Sequence, residues 1–295
     1  MLNAHQLGAC LYVPAIHPQL FAIARGDKLA HVRSIIYCTE DSVTESDLPR
    51  ALAQLADLLG EIPAHCPRNR FIRLRNPRVM RHILALPHLD KIHGFVLPKI
   101  TAANLDDYAA LRNTAFQVMP TLESRDVFLE SAMLALLDTL NRDWREHILC
   151  LRIGGNDLLN HLHMRRPPGV TLYHTPIGSL IDRLVGIFKP HGYHLSAPVF
   201  EFLNQPELLA QEVREDLHHG LTGKTAIHPD QVSLIEQHYR IRRDERELAA
   251  QVLADDAEAV FQVNQTMQEP ATHRNWAINT LQAAAAFPDS DGFWN

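Results

Sequence analysis

Two acidic residues stand where short apolar runs of the chain come to an end. Glu123 follows Val118-Met119-Pro120-Thr121-Leu122, and Asp157 follows the run LCLRIGGN that begins at Leu149. Carboxylates at the exits of neighbouring strands can hold one hard cation between them. Mg²⁺ keeps several waters, so one or two protein carboxylates suffice for it. Each acid alone could be a first-turn residue favoured by a helix dipole; their joint placement favours the cation. Arg73 and Arg75, in the run Arg70–Arg75 (RFIRLR), share one face of an alternating strand. A guanidinium there can clamp a substrate carboxylate bidentately or pair with Glu40 and Asp41. The expectation is that Arg73 meets substrate and is catalytic together with Glu123, with the Glu40–Asp41 pair orienting it. Lys99 reads as a supporting salt-bridge partner, and His228, before Pro229, as a supporting turn residue that positions the next helix.

Residues of this kind need strands to carry them, and the chain supplies eight short β-like runs separated by amphipathic stretches. The runs are Gly8–Pro14, Ser34–Cys38, Arg70–Arg75, Gly94–Leu97, Phe116–Met119, Ile148–Ile153, Tyr193–Ala197 and Lys224–Ile227. Helical spacing is expected around His17–Arg25, Asp47–Leu59, Asn104–Arg112, Arg125–Leu140, Ile177–Phe188 and Pro206–His219. It is also expected in the stretch holding Val79, Ile83 and Leu86, and over Asp244–Gln265 and Pro270–Ala286. Alternation of this kind predicts an α/β chain, a (β/α)8 TIM barrel over residues 1–240 with extra C-terminal helices over 241–295. That extension is expected to pack on the barrel or on a neighbouring subunit. No glycine-rich dinucleotide turn follows the first run, which argues against an open doubly wound sheet. In a barrel the C-terminal strand ends form the site. Glu40, Asp41, Arg73, Arg75, Lys99, Glu123, Asp157 and His228 all fall at that end.

Composition narrows the class further. The chain has 295 residues, a formal net charge of −6 and no basic stripe, so nucleic acid is not an expected partner. No run is long enough to cross a bilayer, and no basic segment opens a secretory signal, so a cytoplasmic protein with no membrane partner is expected. The four cysteines (Cys10, Cys38, Cys66 and Cys150) show no metal spacing and read as reduced thiols. No Ser-His-Asp order, P-loop or HExxH appears.

Seven pieces of sequence, taken in order, resemble the HpcH/HpaI aldolase and citrate lyase superfamily, most closely its citrate lyase beta-subunit-like branch. They are Leu11-Tyr12-Val13-Pro14-Ala15, Glu40-Asp41-Ser42-Val43, Ile72-Arg73-Leu74-Arg75-Asn76, Val96-Leu97-Pro98-Lys99-Ile100, Pro120-Thr121-Leu122-Glu123-Ser124, Gly155-Asn156-Asp157-Leu158 and Gly223 to Gln231. The resemblance implies a Mg²⁺-dependent carbon–carbon lyase or aldolase that joins or separates an oxo or hydroxy acid and an enolate-forming unit. The second unit would be a CoA thioester or similar thioester, as in citryl- and malyl-CoA lyases. It implies metal ligation by Glu123 and Asp157 and carboxylate binding by Arg73. It also implies a substrate pocket completed by Arg75, Gly155, Asn156 and Pro198, in a homotrimer or a hexamer built from one. The chain departs from the pattern at Asn156, where relatives often have Glu, at Arg75, where Asn is common, and over the unmatched segment 160–176. It looks like the branch that accompanies tellurite- and stress-resistance gene clusters. A CoA-independent pyruvate-type class II aldolase and a non-catalytic metabolite-binding barrel in a stress-response complex are the alternative readings. Asp289 and Asp291 are expected to reach a neighbouring subunit's site, as C-terminal acids do in some relatives.

Overall fold

The expected barrel strands form as a single parallel sheet. In the computed structural model, which describes residues 1–63 and 67–288, they are β1 (Ala9–Pro14), β2 (Ser34–Cys38), β3 (Asn69–Arg73), β4 (Gly94–Leu97), β5 (Gln117–Leu122), β6 (Leu151–Ile153), β7 (Leu195–Ser196) and β8 (Lys224–Ala226). Each pairs parallel with its neighbour, in the order β7-β6-β5-β4-β3-β2-β1-β8. A parallel bridge between Ala197 and Lys224 joins the two ends, with the Ala197 amide donating to the Gly223 carbonyl at 2.9 Å. The sheet therefore closes. Burial of every residue in β2 and β4 explains why these strands read as continuous runs rather than as alternating ones.

The helices between the strands are α1 (Leu20–Arg25), α2 (Leu48–Glu61), α3 (Pro77–Leu84), α4 (Glu130–Thr139), α5 (Gly155–His161), α6 (Pro176–Phe188), α7 (Pro206–His218) and α8 (Pro229–Glu236). Two expectations need correction here. The stretch expected as a helix over Asn104–Arg112 is a 3₁₀ helix, Leu105–Asn113, whose buried residues Leu105, Tyr108 and Leu111 recur every third position. That spacing matches three residues per turn. The helix expected over Arg125–Leu140 is broken at Leu129, whose extended backbone separates a 3₁₀ turn, Arg125–Phe128, from α4.

Segment 160–176 is pinned by a buried ionic cluster. Arg166 pairs with Glu212 of α7 and donates to the Val199 carbonyl at 2.7 Å, while the Leu172 amide donates to Glu212 at 2.8 Å. The Tyr173 hydroxyl donates to Asp216 at 2.7 Å. Lys224 of β8 completes the set, reaching Glu212 at 3.0 Å and Asp216 at 2.8 Å. Two cations and two carboxylates balance, and every one of the four is buried. Charges out of water are tolerated in such a balanced, hydrogen-bonded arrangement.

Contact density divides the chain into one unit over Met1–Ile235 and a second over Glu236–Asn295. Within the second, α9 (Arg243–Val252) and α10 (Pro270–Ala286) pack through Ala249, Val252 and Ala277. The single helix expected over Asp244–Gln265 does not form. After Val252 the chain enters an antiparallel hairpin of β9 (Phe261–Val263) and β10 (Thr266–Gln268). Asn264 and Gln265 take positive φ of 49° and 63°, the two-residue turn that matches strand twist. Cys10, Cys38 and Cys150 are buried thiols that form no disulfide among the described residues; Cys66, Asp289 and Asp291 lie outside the described residues. Among the described residues no helix is long and apolar enough to cross a membrane.

Replacing Glu212 by Gln leaves Arg166 and Lys224 short of a counter-charge in the interior. Urea unfolding is expected to show a loss of about 3–5 kcal/mol, accompanied by faster proteolysis at the Arg165-Arg166 bond.

Candidate active site

Alternation along the strands arranges the barrel interior in two levels. Cys10, Ile36, Phe71, Val96, Met119 and Cys150 pack as one apolar cluster. The inward residues two positions further along several of the same strands are Tyr12, Cys38, Arg73, Thr121 and Arg152, which line a cavity of ≈ 390 Å³ at the C-terminal end. Glu123 and Gly154 follow two positions beyond Thr121 and Arg152 and line the same cavity, as do Asp41, Gly155, Asn156 and Asp157. Charged groups therefore stand directly on an apolar floor, where their fields are poorly screened.

Arg73 is the centre of the charged set. Its Nε donates to Glu40 at 2.8 Å, and its Nη2 donates to Asp41 at 3.2 Å and to Glu123 Oε1 at 3.0 Å. Nη1 makes no hydrogen bond among the described residues. Lys99 braces the same acids. Its Nζ donates to Glu40 at 2.9 Å and lies 4.0 Å from Asp157, and its amide donates to Glu123 Oε1 at 2.9 Å. That amide points at Glu123 from a left-handed backbone, φ 51°, which a non-glycine residue seldom adopts.

Burial pushes Glu123 above the usual carboxylate range; Arg73 opposes the shift, and the nearby Asp157 charge adds to it. Burial also works upward on Glu40, but the hydrogen bond from Asp41, the Arg73 charge and the bond from Lys99 carry it down to about 2. Asp41 moves the other way, to about 6, through burial and through its bond to Glu40 and the Glu40 charge. The pair thus keeps a proton on Asp41 well above the pH at which an ordinary aspartate has lost it.

Oε2 of Glu123 and both oxygens of Asp157 make no hydrogen bond among the described residues, so both acids keep donor oxygens for a ligand. Among the described residues no group of three or more His, Cys, Asp and Glu is placed to hold a metal ion. A two-carboxylate site suits an ion that fills its remaining positions with water and substrate oxygens, as Mg²⁺ does, and not one that needs a full protein cage such as structural zinc. Glycine at 154 makes the arrangement possible. A Cβ there would lie 2.4 Å from Glu123 Oε2 and 2.5 Å from Glu123 Cβ.

Arg73, Glu123 and Asp157, which the strand-exit pattern puts at one end of the barrel, meet at the cavity together with Gly155 and Asn156. Arg75 does not join them. Strand β3 ends at Arg73, and Arg75 turns away to donate to the Val43 carbonyl at 2.9 Å and to pair with Glu45 at 2.9 Å. It braces the segment after β2. His228 accepts the Asp230 amide at 3.3 Å and is half-exposed, a turn residue at the start of α8. Pro198 lies behind Gly155, where an added Cβ would come within 2.8 Å of it, and Val199 rather than Pro198 lines the cavity. Arg152, Tyr12 and Thr225 line it without having been singled out in the sequence. For Arg152 the signal was present: a lone charge inside an apolar run, on the same side of the strand as Gly154.

Residues 1–288 match the family described as C-C_Bond_Lyase of the TIM-Barrel fold. The chain belongs to this family of carbon–carbon bond lyases. Among solved structures, a citrate lyase from Burkholderia xenovorans is 17% identical, with a TM-score of 0.74 over 95% of this chain and 92% of its own. CitE from Mycobacterium tuberculosis in complex with magnesium, acetoacetate and coenzyme A is 20% identical, with a TM-score of 0.69 over 95% and 99%. RipC from Yersinia pestis is 20% identical, with a TM-score of 0.64 over 82% and 99%. These likenesses show the fold. No curated protein matches.

Two outcomes test the geometry of this lyase barrel. Gly154→Ala is expected to displace Glu123 and to lower stability by about 1–3 kcal/mol in denaturant unfolding. Glu40, whose folded pKa lies below its unfolded value, stabilises the fold above about pH 4.5, and this contribution disappears as the pH falls towards about 2. The difference in melting temperature between wild type and Glu40→Gln should therefore be largest above pH 5 and shrink steadily on acidification.

Proposed function

We propose that the protein cleaves or forms a carbon–carbon bond between an oxo or hydroxy acid and an enolate-forming acyl unit carried as a CoA or similar thioester. Glu123 and Asp157 hold Mg²⁺ in this reading. The observation that carries it is the pair of carboxylates with uncommitted oxygens at one cavity, beside a guanidinium with a free Nη1. The CoA half of the proposal draws on the Mycobacterium tuberculosis relative solved with magnesium, acetoacetate and coenzyme A.

When bound, the ion supplies Lewis-acid polarisation of a substrate carbonyl. The chain's own residues do the rest. Arg73 and the Lys99 amide fix Glu123 through Oε1 and leave Oε2 facing the ligand. Nη1 of Arg73 meets the substrate carboxylate and adds positive charge where negative charge develops. Asp41, in the cavity wall and shifted to about 6, takes or returns a proton near neutral pH. The Thr121 hydroxyl, buried beside the cavity with no hydrogen-bond partner among the described residues, supplies one further polar contact for a ligand. Ile153, Val199 and Ile227 keep the wall apolar, so these charges act with little competing water.

Titration calorimetry with Mg²⁺ tests the centre of the proposal. Glu123→Gln and Asp157→Asn are each expected to weaken binding at least about tenfold, roughly 1.4 kcal/mol, with circular dichroism unchanged. Wild-type protein that takes up no Mg²⁺, or variants that bind it as well as wild type, would overturn the assignment. Turnover of acyl-CoA substrates beside the corresponding free acids then separates a thioester lyase from a pyruvate-type aldolase.

A further inference from the structure

The cavity contains a second guanidinium that the proposed chemistry leaves unused. Arg152 of β6 is 2% exposed and lines the cavity, and it sits beside Thr121 of β5 and Ser196 of β7 in the strand register. Its Nη2 donates to the Thr225 hydroxyl at 2.6 Å, and its Nη1 lies 3.9 Å from the Met119 sulfur. A hydrogen bond to the Cys10 thiol and the Tyr12 ring, 5.6 Å from the guanidinium carbon, complete its surroundings. Among the described residues no carboxylate oxygen comes within 4.0 Å of it. Arg73, Arg166 and Lys224 are buried too, and each meets carboxylates. Arg68 and Arg70, equally buried, donate to backbone carbonyls and do not line the cavity, as Arg152 does.

A guanidinium withdrawn from water and given only neutral partners is an expensive feature of a fold unless an anion completes it. The Thr225 hydroxyl and the Tyr12 ring fix the plane of the group, which is the preorganisation a carboxylate fork requires. Charge balance points the same way. Glu40, Asp41, Glu123 and Asp157 surround Arg73 and Lys99, and a divalent ion would take up the excess negative charge, so Arg152 stays uncompensated whether or not the ion is bound. We propose that Arg152, positioned by Thr225, is a second anion seat in this cavity, taking a carboxylate of the substrate separate from the one that meets Arg73. The inference rests on the reading of the cavity as the substrate site. It makes the preferred small substrate one with two carboxylates.

Malonate and its half-amide, malonamate, differ by one charge at nearly constant shape and serve as probes in EDTA and in Mg²⁺. Wild type is expected to bind malonate at millimolar concentration at least about tenfold more tightly than malonamate. Arg152→Met should abolish that preference, and Arg152→Lys should restore part of it. Without ligand, Arg152→Met should melt about 2–4 °C higher than wild type, because a buried uncompensated charge has been removed. A lower melting temperature for Arg152→Met would assign the residue to the structure of the barrel and overturn the proposal. Equal preference in wild type and Arg152→Met would overturn it too, as would failure of wild type to bind malonate. The EDTA arm separates this inference from the lyase assignment: Arg152-dependent binding there stands even if Glu123 and Asp157 take up no ion, and uptake of the ion says nothing for the seat.

Discussion

Everything at the mouth of this barrel is arranged around one buried guanidinium. Arg73 comes from β3, and the acids it gathers leave β2 and β5, so three strand exits are tied together by hydrogen bonds of 2.8–3.2 Å. Without it, Glu40 and Glu123 would face each other across a low-dielectric cavity as uncompensated charges, at a cost of several kcal/mol. With it, they ionise in fixed orientations. The acids cannot be placed without the arginine, and the arginine cannot be buried without the acids.

The two ionic clusters of the barrel show how charge balance separates a structural role from a chemical one. Arg166, Lys224, Glu212 and Asp216 form a neutral set outside the sheet wall and join segment 160–176 to α7 and β8. They stabilise the strand that closes the barrel. The set at the cavity has three lining carboxyl groups, Asp41, Glu123 and Asp157, against Arg73 and Arg152, with Glu40 and Lys99 hydrogen-bonded into it, and its members keep unbonded oxygens and nitrogens. Groups left open in a cavity are open to ligands.

Much of this was legible in the sequence because parallel strands buried on both faces stand out as apolar runs, and because strand exits place polar residues where a barrel has its site. That logic places Glu123, Asp157 and Arg73 together, and they line one cavity. Arg75 was misplaced because alternation was extended past the end of β3; once pairing stops, the next side chain no longer follows the pleat. Arg152 is less legible, because the run around it is otherwise apolar and it stands before the strand exit rather than at it. The hairpin after Val252 was hidden by polar residues that fit a helix as well as a strand, and only the paired positive φ angles at Asn264 and Gln265 distinguish the two. The 3₁₀ stretch over Leu105–Asn113 shares its i, i+3 spacing with an α-helix, so periodicity alone did not separate them.

Lys99 carries a consequence of a different kind. Its backbone sits in a region that glycine enters freely and lysine enters at a cost of roughly 1 kcal/mol. Glycine would keep the amide on Glu123 but lose the ammonium on Glu40; a lysine in ordinary extended backbone would keep the ammonium and lose the amide. Only a strained cation ties both acids at once. Leu29, His88 and His163 also take positive φ, so the angle sets position 99 apart only together with the two acids tied there, Glu123 by the amide and Glu40 by the ammonium.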